Sequence, residues 1–144
     1  MKRKKIAILG STGSIGVNTL NVIAAFPALF EVTALSAKGN DVKLFTEQIK
    51  KFKPKYVSVQ NRNAFLQLKA SGSLKGVQLL EGFEGQLKLI RECESEIIVI
   101  ALVGGAGLIP TLEAIKQGKN IALANKETLV VAGDIVMREA KKKG

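Results

Sequence analysis

The sequence predicts a doubly wound α/β fold, a mostly parallel sheet with helices on both faces. Three observations predict it. Short runs of Val, Ile, Leu and Ala alternate with helical patterns from end to end. A strand-like run comes first and helices separate the strands, the order that gives parallel pairing through crossovers. The apolar runs are continuous rather than alternating, as strands buried on both faces require.

The first strand reads as Lys5–Leu9. A glycine turn follows, Gly10-Ser11-Thr12-Gly13-Ser14-Ile15-Gly16, and opens a helix over Ser14–Phe26. Pro27 ends that helix, because a residue before proline avoids the helical basin. Phe30–Ser36 is the second strand. Asp41–Phe52 is a helix, with Val42, Phe45, Ile49 and Phe52 as one apolar stripe, and Pro54 closes it. Tyr56–Gln60 and Val77–Leu80 are strands around a helix at Arg62–Ser71, which Gly72 caps. Phe83–Cys93 is a helix with the stripe Phe83, Leu87 and Ile90. Ile97–Val103, the longest apolar run at seven residues, reads as a buried parallel strand. The next helix, Pro110–Gln117, begins on a proline whose missing N–H costs nothing there, and Gly118 caps it. Asn120–Ala124 is the last strand and Glu127–Lys142 the last helix. Lys141 to Lys143 sit in its final turn, where cations suit the dipole, and Gly144 follows.

A chain of 144 residues without a low-complexity linker is one domain, long enough for a real core. One cysteine, Cys93, excludes an internal disulfide and reads as a semi-buried thiol on a helix, which suits a reducing compartment. The charged start Met1 to Lys5 resembles that of a signal peptide, but the apolar run behind it ends at Gly10, too short for a signal core. The seven-residue run is also far too short to span a bilayer. The expectation is a soluble, cytoplasmic protein with no membrane partner. Twenty-two Lys and Arg against 12 Asp and Glu give a net charge of +10, which points to nucleic acid or to small anions such as phosphates. No Trp and one Tyr leave few stacking platforms, so nucleic acid is not expected. Glu92, Glu94 and Glu96, with no histidine anywhere, read as a solvated surface rather than a metal site.

Strand, glycine turn, helix is the order that a nucleotide pyrophosphate needs. Glycines let the backbone approach the phosphates, and the helix N-terminus faces the charge. The glycines fall at n, n+3 and n+6 rather than the commoner n, n+2 and n+5. Such a turn also serves as a plain tight connection. Its place in the first strand-helix unit is that of Rossmann-like dinucleotide domains. Leu102-Val103-Gly104-Gly105-Ala106-Gly107 repeats the plan, so Gly104 to Gly107 either line the same crevice or need small residues for packing. After the second strand comes Ser36-Ala37-Lys38-Gly39-Asn40, with no carboxylate before Asp41. Lys38 would attract a 2′-phosphate, and Ser36 and Asn40 can donate to it, which favours NADP over NAD. Lys38 also fits as a solvated loop lysine. Asn125-Lys126-Glu127 ends the last strand. There Lys126 can bind a substrate oxygen or polarise a carbonyl, and Glu127 can orient it or touch the nicotinamide ribose. Helix capping by Asn125 and Glu127 accounts for the same residues equally well.

Ile8 to Gly16 together with Leu123-Ala124-Asn125-Lys126-Glu127-Thr128-Leu129 resembles the 1-deoxy-D-xylulose 5-phosphate reductoisomerase family. The resemblance runs through all 144 residues in order and includes Ala37 to Asn40 and Gly104 to Gly107. It implies an enzyme that rearranges 1-deoxy-D-xylulose 5-phosphate and reduces the aldehyde with NADPH. The product is 2-C-methyl-D-erythritol 4-phosphate, on the non-mevalonate route to isoprenoids. It also implies a divalent metal (Mg, Mn or Co), a phosphosugar substrate and a homodimer. By matching position, Thr12, Gly13, Ser14 and Ile15 hold the cofactor phosphates, within a binding turn bounded by Gly10 and Gly16. Lys38, Gly39 and Asn40 lie around the 2′-phosphate and adenosine ribose. Many members order Gly-Lys where this chain has Lys38-Gly39, which exchanges those two contacts. Gly104, Asn125 and Glu127 fall on cofactor positions and Lys126 on a substrate position. The family's metal-binding carboxylates come after the segment present here. Residues 1–144 are therefore expected to be the NADP-binding Rossmann-like domain of a longer enzyme, which binds NADPH but does not turn over. The alternatives are a stand-alone NADP-binding redox sensor and the cofactor domain of a semialdehyde or homoserine dehydrogenase-like enzyme. The semialdehyde enzyme would need a catalytic cysteine, and Cys93 lies on a predicted helix.

Overall fold

The computed structural model of the chain describes residues 2–72, 74–124 and 126–144, apart from the side chains of 126–132. The elements are β1 (Lys4–Leu9), α1 (Ser14–Ala25), β2 (Phe30–Ala37), α2 (Val42–Phe52), β3 (Tyr56–Val59), α3 (Arg62–Ala70) and β4 (Gln78–Glu81). There follow α4 (Gly82–Glu92), β5 (Ile97–Ile100), a 3₁₀ turn (Gly104–Gly107), α5 (Leu108–Lys116), β6 (Asn120–Leu123) and α6 (Lys126–Lys143). The strands form one sheet in the order β4-β3-β2-β1-β5-β6. Every pairing is parallel. The chain builds outward from β1 to β4, then returns to the far side of β1 for β5 and β6.

Two cores result, one on each face. Ile6, Ile8, Leu35 and Val57 pack against Leu20 and Ile23 of α1, Phe45 and Ile49 of α2, and Leu68 of α3. Ala7, Leu9, Ala34, Ile98 and Ile100 pack against Leu89 and Ile90 of α4 and Ala114 of α5. Alternate residues of β1 thus serve opposite faces, as the period of a strand dictates. β2 departs from that period. Ile6 pairs with Val32 but Ala7 pairs with Ala34, so Thr33 is bulged out of register. Val32 and Leu35 therefore share the α1–α3 face, and the buried Thr33 hydroxyl meets that of Ser95. Phe45 is fully buried beneath α2, and truncating such a side chain costs about 3–5 kcal/mol. Because β1 is followed by α1 on one face and β5 by α5 on the other, their connections diverge where the two strands lie side by side. In open α/β sheets that divergence makes a crevice at the carboxyl edge.

The predicted architecture stands, with helices on both faces of a parallel sheet. Most predicted ends agree within two residues, but β5 stops three residues early, at Ile100. Its neighbours end at Leu9 and Leu123, so the apolar residues beyond have no strand to pair with. Val103, expected in a buried strand, is 90% exposed. Phe83, expected in the core stripe of α4, is exposed, and Gln86 takes a buried position instead. Cys93 is buried, but in extended backbone just past α4.

Candidate functional site

The glycine turn is assembled from β1, β2 and α2. Gly10 leaves β1 at φ +89, a conformation open to glycine, and a Cβ there would lie 2.9 Å from the carbonyl carbon of Ala101. The exits of β1 and β5 thus pack backbone to backbone. The N–H groups of Gly10 and Ser11 both donate to the Ser36 carbonyl, at 2.8 and 3.0 Å. Ser11 is buried; its hydroxyl donates to Gln48 Oε1 and its carbonyl accepts from Gln48 Nε2, both at 2.8 Å. The Ser36 hydroxyl accepts from Ser58 Oγ at 2.7 Å and from Gln86 Nε2 at 3.1 Å.

The three glycines of the turn answer to different constraints. Gly16 is buried, and a Cβ there would lie 2.6 Å from Ser11 Cα. Its absence lets α1 seat directly on the turn. Gly13 is exposed, with φ −76 and ψ 172, which any residue adopts, and a Cβ there would come no nearer than 3.7 Å to protein, at the Gly10 carbonyl. Neither conformation nor packing requires glycine at 13. Gly13 is the N-cap of α1, which has no side-chain cap and no acidic residue in its first turn. By contrast, Asp41 caps α2 and Asn61 caps α3, each accepting a backbone N–H at 3.0 Å. The first-turn N–H groups of Ser14, Ile15 and Gly16 lie outside the helical ladder, beside the exposed side chains of Ser14 and Ile15 and the half-buried Thr12. Uncapped donors and a positive dipole end suit an anion.

Residues 38–40 and 104–107 lie along the same carboxyl edge, because β2, β1 and β5 are consecutive in the sheet. Lys38 and Asn40 are exposed just past β2, and the Lys38 carbonyl accepts from Asn61 N–H at 3.0 Å. Gly39, at φ +105, is demanded by the protein itself, since a Cβ would lie 2.8 Å from those of Asn61 and Ala64. Ser36 does not reach this surface; it is fully buried and its hydroxyl is engaged within the sheet. Of the three donors predicted beside a 2′-phosphate, Lys38 and Asn40 thus reach this surface and Ser36 does not. Gly104, at φ +64, opens the 3₁₀ turn after β5, with no protein within 4 Å of a Cβ built there. Asn125 and the side chains of Lys126 and Glu127 lie outside the described residues; the backbone of Lys126 opens α6.

The opposite edge carries a different electrostatic arrangement. Lys5 Nζ donates to Glu94 Oε2 at 3.1 Å, and Lys55 lies 4.0 Å from the same carboxylate. That hydrogen bond, then the charge pairing, raises the Lys5 pKa and lowers that of Glu94. A cavity of about 410 Å³, lined by Arg3, Pro27, Glu31 and Phe52 among others, also opens there, away from the glycine turn. Among the described residues, no three His, Cys, Asp or Glu side chains gather, and no helix is long and apolar enough to cross a membrane.

Residues 6–133 match the family model described as 1-deoxy-D-xylulose 5-phosphate reductoisomerase. The chain belongs to this family. A 1-deoxy-D-xylulose 5-phosphate reductoisomerase of Geotalea uraniireducens is 50% identical over 141 residues, 98% of this chain and 36% of the relative. The Zymomonas mobilis reductoisomerase, solved in complex with NADPH, is 31% identical with a TM-score of 0.90, over 99% of this chain and 37% of that one. A DOX-P reductoisomerase solved with NADPH, fosmidomycin and magnesium is 36% identical with a TM-score of 0.90, over 98% of this chain and 35% of that one. The chain thus spans little more than a third of the length of the reductoisomerases it matches. Membership of the reductoisomerase family decides against the semialdehyde or homoserine dehydrogenase alternative. Sequence reasoning placed Ser11 in the turn but missed its buried pairing with Gln48, and it missed Gln86, although Gln48 lies at i+3 from the buried Phe45 and Gln86 at i−3 and i−4 from the buried Leu89 and Ile90.

Proposed function

We propose that residues 1–144 form the NADPH-binding, Rossmann-like domain of a reductoisomerase. The whole enzyme would convert 1-deoxy-D-xylulose 5-phosphate to 2-C-methyl-D-erythritol 4-phosphate, on the non-mevalonate route to isoprenoids. The observation that carries this reading is Gly13: an exposed helix start with no side-chain cap, where neither backbone conformation nor packing demands glycine and the missing Cβ leaves room for a ligand. The turn fits a pyrophosphate, since its interior polar groups are paired within the protein and its outward donors are not capped. NADPH, when bound, supplies the hydride.

The chain's own residues bind and orient. Thr12, Gly13, Ser14 and Ile15 hold the phosphates, with Gly10 and Gly16 shaping the turn around them. Lys38, Gly39 and Asn40 surround the 2′-phosphate and adenosine ribose, with Lys38 supplying the charge. Gly104, Asn125 and Glu127 hold the remainder of the cofactor, and Lys126 binds the phosphosugar. The divalent Mg, Mn or Co that the family implies would be held by carboxylates elsewhere in the whole enzyme, and no metal step is assigned to residues 1–144. We place the enzyme in the cytoplasm as a homodimer, without nucleic-acid or membrane partners. Calorimetric titration with NADPH and NADH tests the reading. NADPH binding well above that of NADH is expected, and no NADPH binding would overturn it.

A further inference from the structure

We infer that Gln48 is a positioning residue for the cofactor, which it reaches only through Ser11. The inference rests on the cofactor reading above and deepens it. The turn must hold its backbone donors toward the phosphates before they arrive, because ordering it on binding would cost affinity. Two clamps do this. On the sheet side, the Ser36 carbonyl takes the N–H groups of both Gly10 and Ser11, and Ser36 is itself held by the side chains of Ser58 and Gln86. On the helix side, Gln48 grips Ser11 twice, accepting from its hydroxyl and donating to its carbonyl at 2.8 Å each. Both partners are buried, Ser11 at 0% and Gln48 at 6% exposure. A glutamine matches this pairing because its amide presents a donor and an acceptor side by side.

The clamp grips the pyrophosphate turn and leaves Lys38 alone. Its loss should therefore weaken NADPH and NADH by the same factor, whereas a change at Lys38 should separate them. Gln48→Met keeps the volume and removes both hydrogen bonds. Two buried hydrogen bonds correspond to about tenfold or more in affinity. Ser11→Ala removes only the hydroxyl bond and should cost about threefold; it carries the test alone if Gln48→Met does not fold. Ser95→Ala is the control, since it removes a buried hydroxyl contact with Thr33 away from the turn. It should lower Tm without moving either Kd.

The experiment combines calorimetric titration of the full chain and its folded variants with amide exchange of residues 10–15 in the absence of cofactor. The expected result is a parallel loss of NADPH and NADH affinity, with faster exchange confined to the turn. Wild-type affinity and wild-type exchange in every Ser11 or Gln48 variant that folds would overturn the inference while leaving the cofactor reading intact. A wild-type chain that binds neither nucleotide would overturn both.

Discussion

Gly13 and Gly16 stand three residues apart in one turn, yet substitution should damage different properties. At Gly13 the backbone already has an ordinary conformation, and a Cβ would meet only the Gly10 carbonyl, at 3.7 Å. Alanine there gains about 0.4–1 kcal/mol by restricting the unfolded chain. It loses a similar amount, about 0.5–1 kcal/mol, because alanine is a poorer N-cap than glycine. The two offset, so Tm should stay within a few degrees. The methyl group would occupy the space where a pyrophosphate packs on the helix start. Overpacking costs about 1–3 kcal/mol, and a displaced charge-assisted hydrogen bond about 1.5–3 kcal/mol more. A combined loss of about 3 kcal/mol is over 100-fold in NADPH affinity. Gly16→Ala should do the reverse. Its Cβ would lie 2.6 Å from Ser11 Cα, and backbone cannot swing aside, so α1 must shift at a cost of about 3 kcal/mol or more. Thermal unfolding and calorimetric titration of both variants check this. A Gly13→Ala protein that binds NADPH as wild type does, or that unfolds as early as Gly16→Ala, would refute the reasoning.

Lys38→Glu should weaken NADPH by about 10-fold or more, the value of a charge-assisted hydrogen bond, and leave NADH nearly unchanged. Equal losses in parallel titrations would remove Lys38 from the 2′-phosphate site. The Lys5–Glu94 pair should give stability a pH window. The Glu94 pKa is lowered by the Lys5 hydrogen bond and charge, so its contribution is present above the ordinary 4.5 and lost as pH falls through the depressed value. The Lys5 pKa is raised, so its contribution is present below the ordinary 10.5 and lost as pH rises beyond it. Tm should thus differ between wild type and Glu94→Gln at neutral pH and low salt, and converge well below pH 4.5 and in high salt. A difference that persists in acid would mean that the pair is not its source.

Local patterning carries most of the fold. Continuous apolar runs imply strands buried on both faces, and proline and glycine mark the helix ends, so nearly every element is legible residue by residue. Extent is less legible where it depends on a neighbour. Ile97 to Val103 is uniformly apolar, but β5 lasts only while β1 and β6 run beside it, and no local signal in the segment reports where they stop. Polar residues mislead in the other direction. Ser36 looks like a donor at a strand end, and Gln48 and Gln86 are polar residues set within apolar helix sectors. All three are buried because each finds a partner that no local window contains: Ser58, Ser11 and Ser36 respectively. Burying a polar group is tolerated when its hydrogen bonds are made, and those partners lie 22, 37 and 50 residues away.

The same distinction explains why glycine spacing is a weak guide to a ligand. Gly10 is fixed by its φ of +89 and by the exit of β5, Gly16 by the seat of α1, Gly39 by α3, and Gly104 by its φ of +64. Each of these would be glycine in a protein that bound nothing. Gly13 and Gly105 differ, since each is exposed, without positive φ and with no protein atom nearer than 3.7 Å to a Cβ. One lies in the turn after β1 and the other in the turn after β5, the two strands between which the sheet changes direction. A ligand held at that switch point would approach both backbones. What separates a binding turn from a tight turn is therefore whether it holds glycines that neither φ nor packing demands, and here two such glycines flank the crevice.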